Sequence, residues 1–198
     1  MNTAQQAFEH RRSYYSISNT SPISDDKLIE ILTSIIKNTP SGYNSQSTRM
    51  ILLLDKSHLR FWEIVKGILK EKMAGRPFER TEKKINDFAA GYGTVLFFED
   101  QDIVKSMQEK FPNYADNFTI WSQHTAAMHQ YATWVLLEDT GFGASLQHYH
   151  PIIDDAVAKE WNIPNTWKLT AQMPFGTPTA EPGEKTFEPV EDRFKIFR

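Results

Sequence analysis

The chain has 198 residues, 40% apolar and 24% charged, the size and composition of one globular domain with a sizeable core. A net charge of −3 and a pI near 6.1 give no general pull toward nucleic acid or anionic membrane, and neither is expected as a partner. The absence of cysteine excludes a disulfide, a thiol nucleophile, an iron–sulfur cluster and a Cys-based zinc site, and fits the cytoplasm as the expected compartment.

The first residues, MNTAQQAFEHRRS, lack the apolar core of a signal peptide, and no apolar run further on is long enough to span a bilayer. Ser24–Asn38 reads as the first strong helix. Ser24 is a natural N-cap, Asp25 and Asp26 suit the positive helix start, and Leu28, Ile31, Leu32, Ile35 and Ile36 form one apolar stripe. Pro40 disfavours helical geometry at Thr39 and ends it. PSGYNSQST (40–48) is then a polar loop, and MILLL (50–54) a buried strand. Ser57–Lys72 reads as a helix, and Met73–Glu82, with Gly75 and Pro77, as loop or lid. Thr94–Phe98 is a second buried strand and Asp102–Lys110 a short helix. Asn117–Asp139 is the longest helix, about 30 Å, with so little polar face that it should be buried in a core or a subunit interface. Gly141 and Gly143 end it. ASLQHY (144–149) is a strand or tight turn, Pro151 opens a further helix, and alternation of Trp167, Leu169, Ala171 and Met173 marks a last core strand. Strands interleaved with helices indicate an α+β or α/β layered fold. The Pro-rich stretch after Gly176 cannot form a core alone and is either frayed or laid along another surface.

Several chemistries are absent as motifs. There is no G-x-G-x-x-G, Walker A loop, G-x-S-x-G or H-E-x-x-H, which argues against a Rossmann dehydrogenase, a P-loop enzyme, an α/β-hydrolase and a zincin. His148 and His150 form an H-x-H pair without an acidic ligand beside it, and two half-exposed histidines at a strand end describe it better than a metal site. Arg11-Arg12-Ser13 offers planar paired donors and a hydroxyl, a set that suits phosphate. Alone it equally describes a solvated basic spot. The loop from Pro40 to Gln46 gathers amides and hydroxyls that can bond a polar heterocycle, although the same residues make ordinary turns. Thirteen Phe, seven Tyr and five Trp exceed a minimal core, and a flat ligand or a large interface would use the excess.

The order and spacing of these pieces carry more than any one of them. R-R-S near the start, an amphipathic helix, P-S-x-x-N-x-Q entering a strand, a long apolar helix ending in G-F-G, then LQHY, WKLTAQMPFG and a tail with G-E-K and P-V-E-D-R resemble the FMN-dependent nitroreductase family. The likeness extends to its short subfamily of copper-induced nitroreductases and yeast fatty-acid-repression oxidoreductases. It covers nearly the whole chain. The resemblance implies a single 1–198 domain of α+β class. That domain is a three-layer sandwich with a central, mostly antiparallel sheet flanked by helices, dimeric, with FMN at the subunit interface and the tail from about 177 to 198 packing on the dimer.

By position in the motifs, Arg11, Arg12 and Ser13 would hold the FMN phosphate together with Lys185, and Tyr15 stands where many members carry a basic residue. Phe187 replaces a second tail cation, for which Arg193 would substitute. Ser41, Asn44 and Gln46 would reach the flavin, in part from the partner subunit. Gln147, His148 and Tyr149 would set backbone N–H donors beside the reactive flavin edge. The mid-chain flavin contacts have no match around Lys83–Asp87. Tyr43, Phe118 and Trp121 are the candidates for a flat substrate. The activity implied is NAD(P)H-dependent reduction of nitroaromatics, quinones or similar acceptors by a ping-pong route through the flavin, with no catalytic side chain and no metal. A flavin-binding sensor of low turnover, and a non-flavin protein using the Arg segment for another phosphate, are the alternatives.

Overall fold

The computed structural model describes residues 3–198. The reading of the extreme N-terminus, and of one domain over 1–198, therefore includes residues 1 and 2, which lie outside the described ones. In chain order the elements are α1 (Ala4–His10), β1 (Ile17–Ser18), α2 (Asp25–Asn38), β2 (Thr48–Leu54), α3 (Asp55–Lys72), α4 (Glu79–Ala89), β3 (Gly93–Asp100), α5 (Gln101–Lys110), α6 (Ala115–Asp139), β4 (Gly143–Ala144), α7 (Asp154–Glu160), β5 (Trp167–Pro178) and α8 (Val190–Arg193).

The sheet runs β1-β5-β3-β2, with β4 also on β5, and every pairing is antiparallel. Strand alternation divides the core in two. Val95 and Phe97 of β3 meet Leu28, Leu32 and Ile35 of α2 and Leu137 of α6 on one face. Leu96 and Phe98 meet Phe61, Trp62 and Val65 of α3, Ile85 and Phe88 of α4 and Val157 of α7 on the other. This is the expected α+β three-layer sandwich. Helices on both sides also explain why β5 is buried at every position from Leu169 to Gly176, rather than alternately. At Gly176 a side chain has no room, because a Cβ there would lie 2.1 Å from the Ser18 carbonyl oxygen of the neighbouring strand.

Several sequence expectations need correction. The loop after α3 spans only 73–78, and α4 begins at Glu79. This helix carries too few apolar residues to announce itself, with Ile85 and Phe88 as its only buried pair. β2 is an edge strand with only Thr48 and Leu53 buried, since it has one neighbour. Pro151 opens a turn, with α7 starting three residues later. α6 is only partly buried within one subunit, with Phe118, Ala126 and Leu137 in the core. Its buried side contains Ser122, Thr125, His129, Gln130 and Thr133, whereas Ile120, Met128, Tyr131 and Leu136 are exposed. Some of the buried polar groups bond locally, Ser122 Oγ to the Thr119 carbonyl and His129 Nδ1 to the Thr125 carbonyl, both at 2.9 Å, and Gln130 Nε2 donates to Thr170 Oγ1 of β5 at 3.3 Å.

A hydrogen-bond chain under α3 gives a pH dependence. Trp62 Nε1–H donates to Thr94 Oγ1 (3.0 Å), Thr94 faces His58 Nδ1 (2.9 Å), and His58 Nε2 meets the Ala89 carbonyl (3.2 Å). With Ala89 accepting at Nε2, His58 is neutral and fully bonded. Burial lowers its pKa from 6.5 to about 4. Between those values the unfolded chain binds a proton that the folded chain refuses, so stability falls as pH drops from 6.5 to 4, by up to about 3 kcal/mol. Urea midpoints across that range should show this slope, and His58→Gln should remove most of it.

Candidate functional site

Arg11, Arg12 and Ser13 leave α1 in extended form and are fixed by the C-terminal half of α6. Ser13 bridges Ala144 of β4. The Arg12 N–H donates to Glu138 Oε2 at 2.6 Å, and Trp134 Nε1 donates at 3.1 Å to both the Arg12 and Ala144 carbonyls. Burial raises the pKa of Glu138, which the Arg12 N–H and neighbouring cations oppose. The Arg11 guanidinium lies 4.4 Å from the Trp134 ring centre, a cation–π contact that orients it. Its Nε is buried with no partner among the described residues. The Arg12 guanidinium donates to the Gly183 carbonyl and so draws the tail over the segment.

The result is a cavity of about 530 Å³, lined by Arg11, Arg12, Ser13 and Tyr15 on one side and by the tail, including Lys185, on the other. Glu181 and Glu184 also line it. Three cations, a hydroxyl and an unpartnered guanidinium nitrogen fit a phosphate monoester such as that of FMN. Arg193 does not line this cavity. It lies exposed on α8, and the Lys185 ammonium rests 5.0 Å from the ring centre of exposed Phe187.

Ser41, Asn44 and Gln46 lie elsewhere. Ser41 organises the loop, its Oγ accepting from Gln46 N–H and its carbonyl from Asn44 N–H, both at 3.0 Å. Tyr43, Asn44 and Gln46 adopt left-handed backbone with φ of 53°, 52° and 51°, a strained arrangement for non-glycine residues. The loop is anchored through Ser47 and Thr48, whose hydroxyls both donate to the fully buried Glu99. Tyr43 stacks on Trp121 at 5.8 Å and approaches Phe118 at 5.6 Å. The expected substrate trio is thus one cluster, extended by Phe111 (4.7 Å from Tyr43) and Tyr114 (6.0 Å). Phe118 itself is buried, so its ring serves the core under the cluster.

Gln147–Tyr149 sits nearer the Arg11 cavity. Tyr15, Phe88, Trp62 and Tyr149 form a row of rings with centre distances of 6.3, 5.0 and 5.9 Å. The backbone donors are fewer than expected. Gln147 N–H is bonded to the Gln172 carbonyl (2.7 Å) and Tyr149 N–H to Gln172 Oε1 (2.8 Å). His148 is exposed, its ring 5.7 Å from that of His150. Among the described residues no group of three or more His, Cys, Asp or Glu is placed to hold a metal ion.

One subunit therefore divides the candidate residues between two places. Arg11 stacks on Trp134 and Tyr43 on Trp121, thirteen positions apart on the same helix, or about 20 Å along its axis. Sequence reasoning missed Trp134, Phe111, Tyr114 and Gln172. The first is the flat platform an oriented arginine calls for. Phe111 and Tyr114 flank Pro112 just ahead of α6. Gln172 has no local signal, because its role exists only across an isolated antiparallel bridge between β5 and Gln147.

The nitroreductase family profile matches residues 8–177. The nitroreductase FRM2 of Saccharomyces cerevisiae is 33% identical over 183 residues, covering 91% of each chain. The structure of the nitroreductase CinD from Lactococcus lactis in complex with nicotinic acid superposes with a TM-score of 0.93 at 40% identity, covering 99% of this chain and 100% of that one. CinD is also known in complex with 4-nitrophenol. A Desulfovibrio desulfuricans protein solved with FMN shares the fold at a TM-score of 0.70 and 16% identity, covering 100% of this chain and 99% of its own. A matched profile over most of the sequence and this agreement in structure place the chain in the nitroreductase family, as an oxidoreductase.

Proposed function

We propose that the chain is an FMN-dependent NAD(P)H oxidoreductase that reduces nitroaromatics, quinones or similar flat acceptors in turn with the nicotinamide, as a homodimer in the cytoplasm. The observation that carries the reading is the Arg11–Arg12–Ser13–Lys185 cavity, with its unpartnered Arg11 Nε. When bound, FMN supplies the two-electron chemistry, and the protein supplies placement and electrostatics. Arg11, held by Trp134, and Arg12, held by Glu138 through its backbone, bind the phosphate, and Ser13 and Lys185 complete the set. Tyr15 lines the phosphate end, and the buried rings of Phe88 and Trp62 connect it through the core to Tyr149. Tyr43 and Trp121, with Phe111 and Tyr114, offer flat faces to a planar substrate, and the bound molecules named for CinD are of that kind.

The dimer is supported by what one subunit leaves uncovered. Exposed Phe8, Met128, Tyr131 and Leu136 on α1 and α6, and Val190, Phe194, Ile196 and Phe197 in the tail, are apolar surface that a second copy would cover. The tail from about 177 to 198 packs on that dimer in this reading. Among the described residues no helix is long and apolar enough to cross a membrane.

The test is optical. The purified protein should be yellow or become so with FMN, release FMN on heating, bleach with NAD(P)H without oxygen, and regain colour with a quinone. A colourless protein that takes up no FMN overturns the reading. Bound flavin that NAD(P)H does not bleach would leave a flavin-binding sensor instead.

A further inference from the structure

Gln172 is fully buried in β5 and paired with Leu96 of β3. Its backbone exchanges both hydrogen bonds with Gln147, N–H to carbonyl at 2.9 Å and carbonyl from N–H at 2.7 Å. Its side-chain oxygen then accepts from Tyr149 N–H at 2.8 Å. That bond fixes which end of the amide is oxygen, and the other end, Nε2, is buried without a partner. A leucine or methionine of similar volume would fill this place with no orphaned donor. Buried amides with an unpaired NH2 are rare enough to need a reason.

The reason lies in the segment it grips. Of the consecutive N–H groups of Gln147, His148 and Tyr149, Gln172 takes the first with its backbone and the third with its side chain. His148 N–H makes no hydrogen bond among the described residues, and His148 is exposed. Without Gln172 Oε1, Tyr149 N–H would be a half-buried donor free to pull the segment toward other acceptors.

We propose that Gln172 is a positioning residue of the redox site, clamping Gln147–Tyr149 so that the His148 N–H, alone of the three, is held out to the edge of the bound cofactor. This rests on the FMN reading above. A fixed N–H favours a ring that gains negative charge on reduction over the neutral oxidised ring, as preorganised dipoles do at developing charge.

The test compares Gln172→Met, which removes the acceptor at similar volume, with Gln172→Glu, which keeps an oxygen in its place. In the FMN-free protein, hydrogen exchange at the Tyr149 amide should be about tenfold faster or more in Gln172→Met and near wild type in Gln172→Glu. In the loaded protein, Gln172→Met should lose about tenfold of its preference for reduced over oxidised FMN, about 30 mV lower in a two-electron couple. Its preference for FMN over riboflavin, set at the phosphate, should not move. Unchanged Tyr149 exchange would show that the clamp is not made. Faster exchange with an unchanged potential would show a structural bond and overturn the positioning role. If Gln172→Met does not fold, Gln172→Asn, one methylene too short for the bond, is read by the same criteria. A wild-type protein that binds no FMN overturns the functional reading and this proposal with it. Wild-type binding with neither readout moved in the variants overturns this proposal alone.

Discussion

Arg11→Ala should weaken FMN binding at least tenfold and abolish most of the preference for FMN over riboflavin. Three features single out Arg11 among the cavity cations. Its guanidinium is oriented in advance by the Trp134 ring, and among the described residues its Nε is buried without a partner and no carboxylate forms an ion pair with it. Little freedom is then lost when a phosphate arrives. A hydrogen bond from a charged group contributes about 1.5–3 kcal/mol, and about 1.4 kcal/mol is a factor of ten. Arg11→Lys keeps the charge but loses the planar fork and should fall between the two. Arg12→Ala should weaken FMN too, but part of that loss would come from releasing the tail at Gly183. Lys185 sits on an exposed stretch that must be ordered on binding, so Lys185→Ala should matter least. Titration of FMN and riboflavin by fluorescence gives all four values. Equal affinities for the two flavins in the wild type, or an Arg11→Ala protein that binds FMN normally, would place the phosphate elsewhere.

Sequence legibility followed how local each cause was. α2 was readable to the residue because its cap, acidic first turn, apolar stripe and following Pro40 all lie within sixteen positions. α4 was missed because packing against α3 makes it a helix, and only Ile85 and Phe88 betray that in the sequence. α6 was found without its orientation. The count of apolar residues along it says nothing about which side they occupy, and Ser122 and Thr125 can face inward because backbone carbonyls accept from their hydroxyls, whereas Thr133 Oγ1 is buried without a partner among the described residues. The same limit applies at the site. Arg11, Arg12 and Ser13 were legible as a contiguous set, and their meeting with Lys185 follows from motif order. Trp134, Glu138 and Gln172, which hold that set and the Gln147–Tyr149 segment in place, act across 122 or more positions in the first two cases and through an isolated bridge in the third. That two of the N–H groups of Gln147–Tyr149 are bonded within the protein is not legible in the sequence for that reason. The residue that takes two of them was invisible until β5 was aligned with Gln147.

Two variants that bind FMN weakly should restore each other when mixed. The Arg11 cavity and the Ser41–Gln46 loop pack on Trp134 and Trp121, about 20 Å apart along α6 in one subunit, and the loop is expected to reach the flavin in part from the partner subunit. If both groups serve one flavin, the loop must come from the other copy, and a two-fold axis then builds two equivalent sites, each with an arginine cavity from one chain and a loop from its partner. Subunits carrying Arg11→Ala and subunits carrying Asn44→Ala with Gln46→Ala would each give homodimers with two damaged sites. A heterodimer of the two would have one site with both defects and one with none. After co-refolding in equal amounts, half the dimers are mixed, so about a quarter of the sites should regain full FMN affinity and turnover. The recovered fraction should show wild-type affinity in a two-phase FMN titration, rather than all sites showing an intermediate one. The flanking glycine makes the loop variants informative. A Cβ at Gly42 would lie 3.3 Å from the Trp121 side chain, so the loop backbone is seated against α6, and because Asn44 and Gln46 hold left-handed backbone, Trp121 fluorescence should first show the variant loop still seated. Sedimentation must first show a dimer for the mixture. A monomer that binds FMN and turns over would refute the shared site directly, and so would a stable, freely exchanging dimer mixture with no recovered sites, since each chain would then be building its site alone.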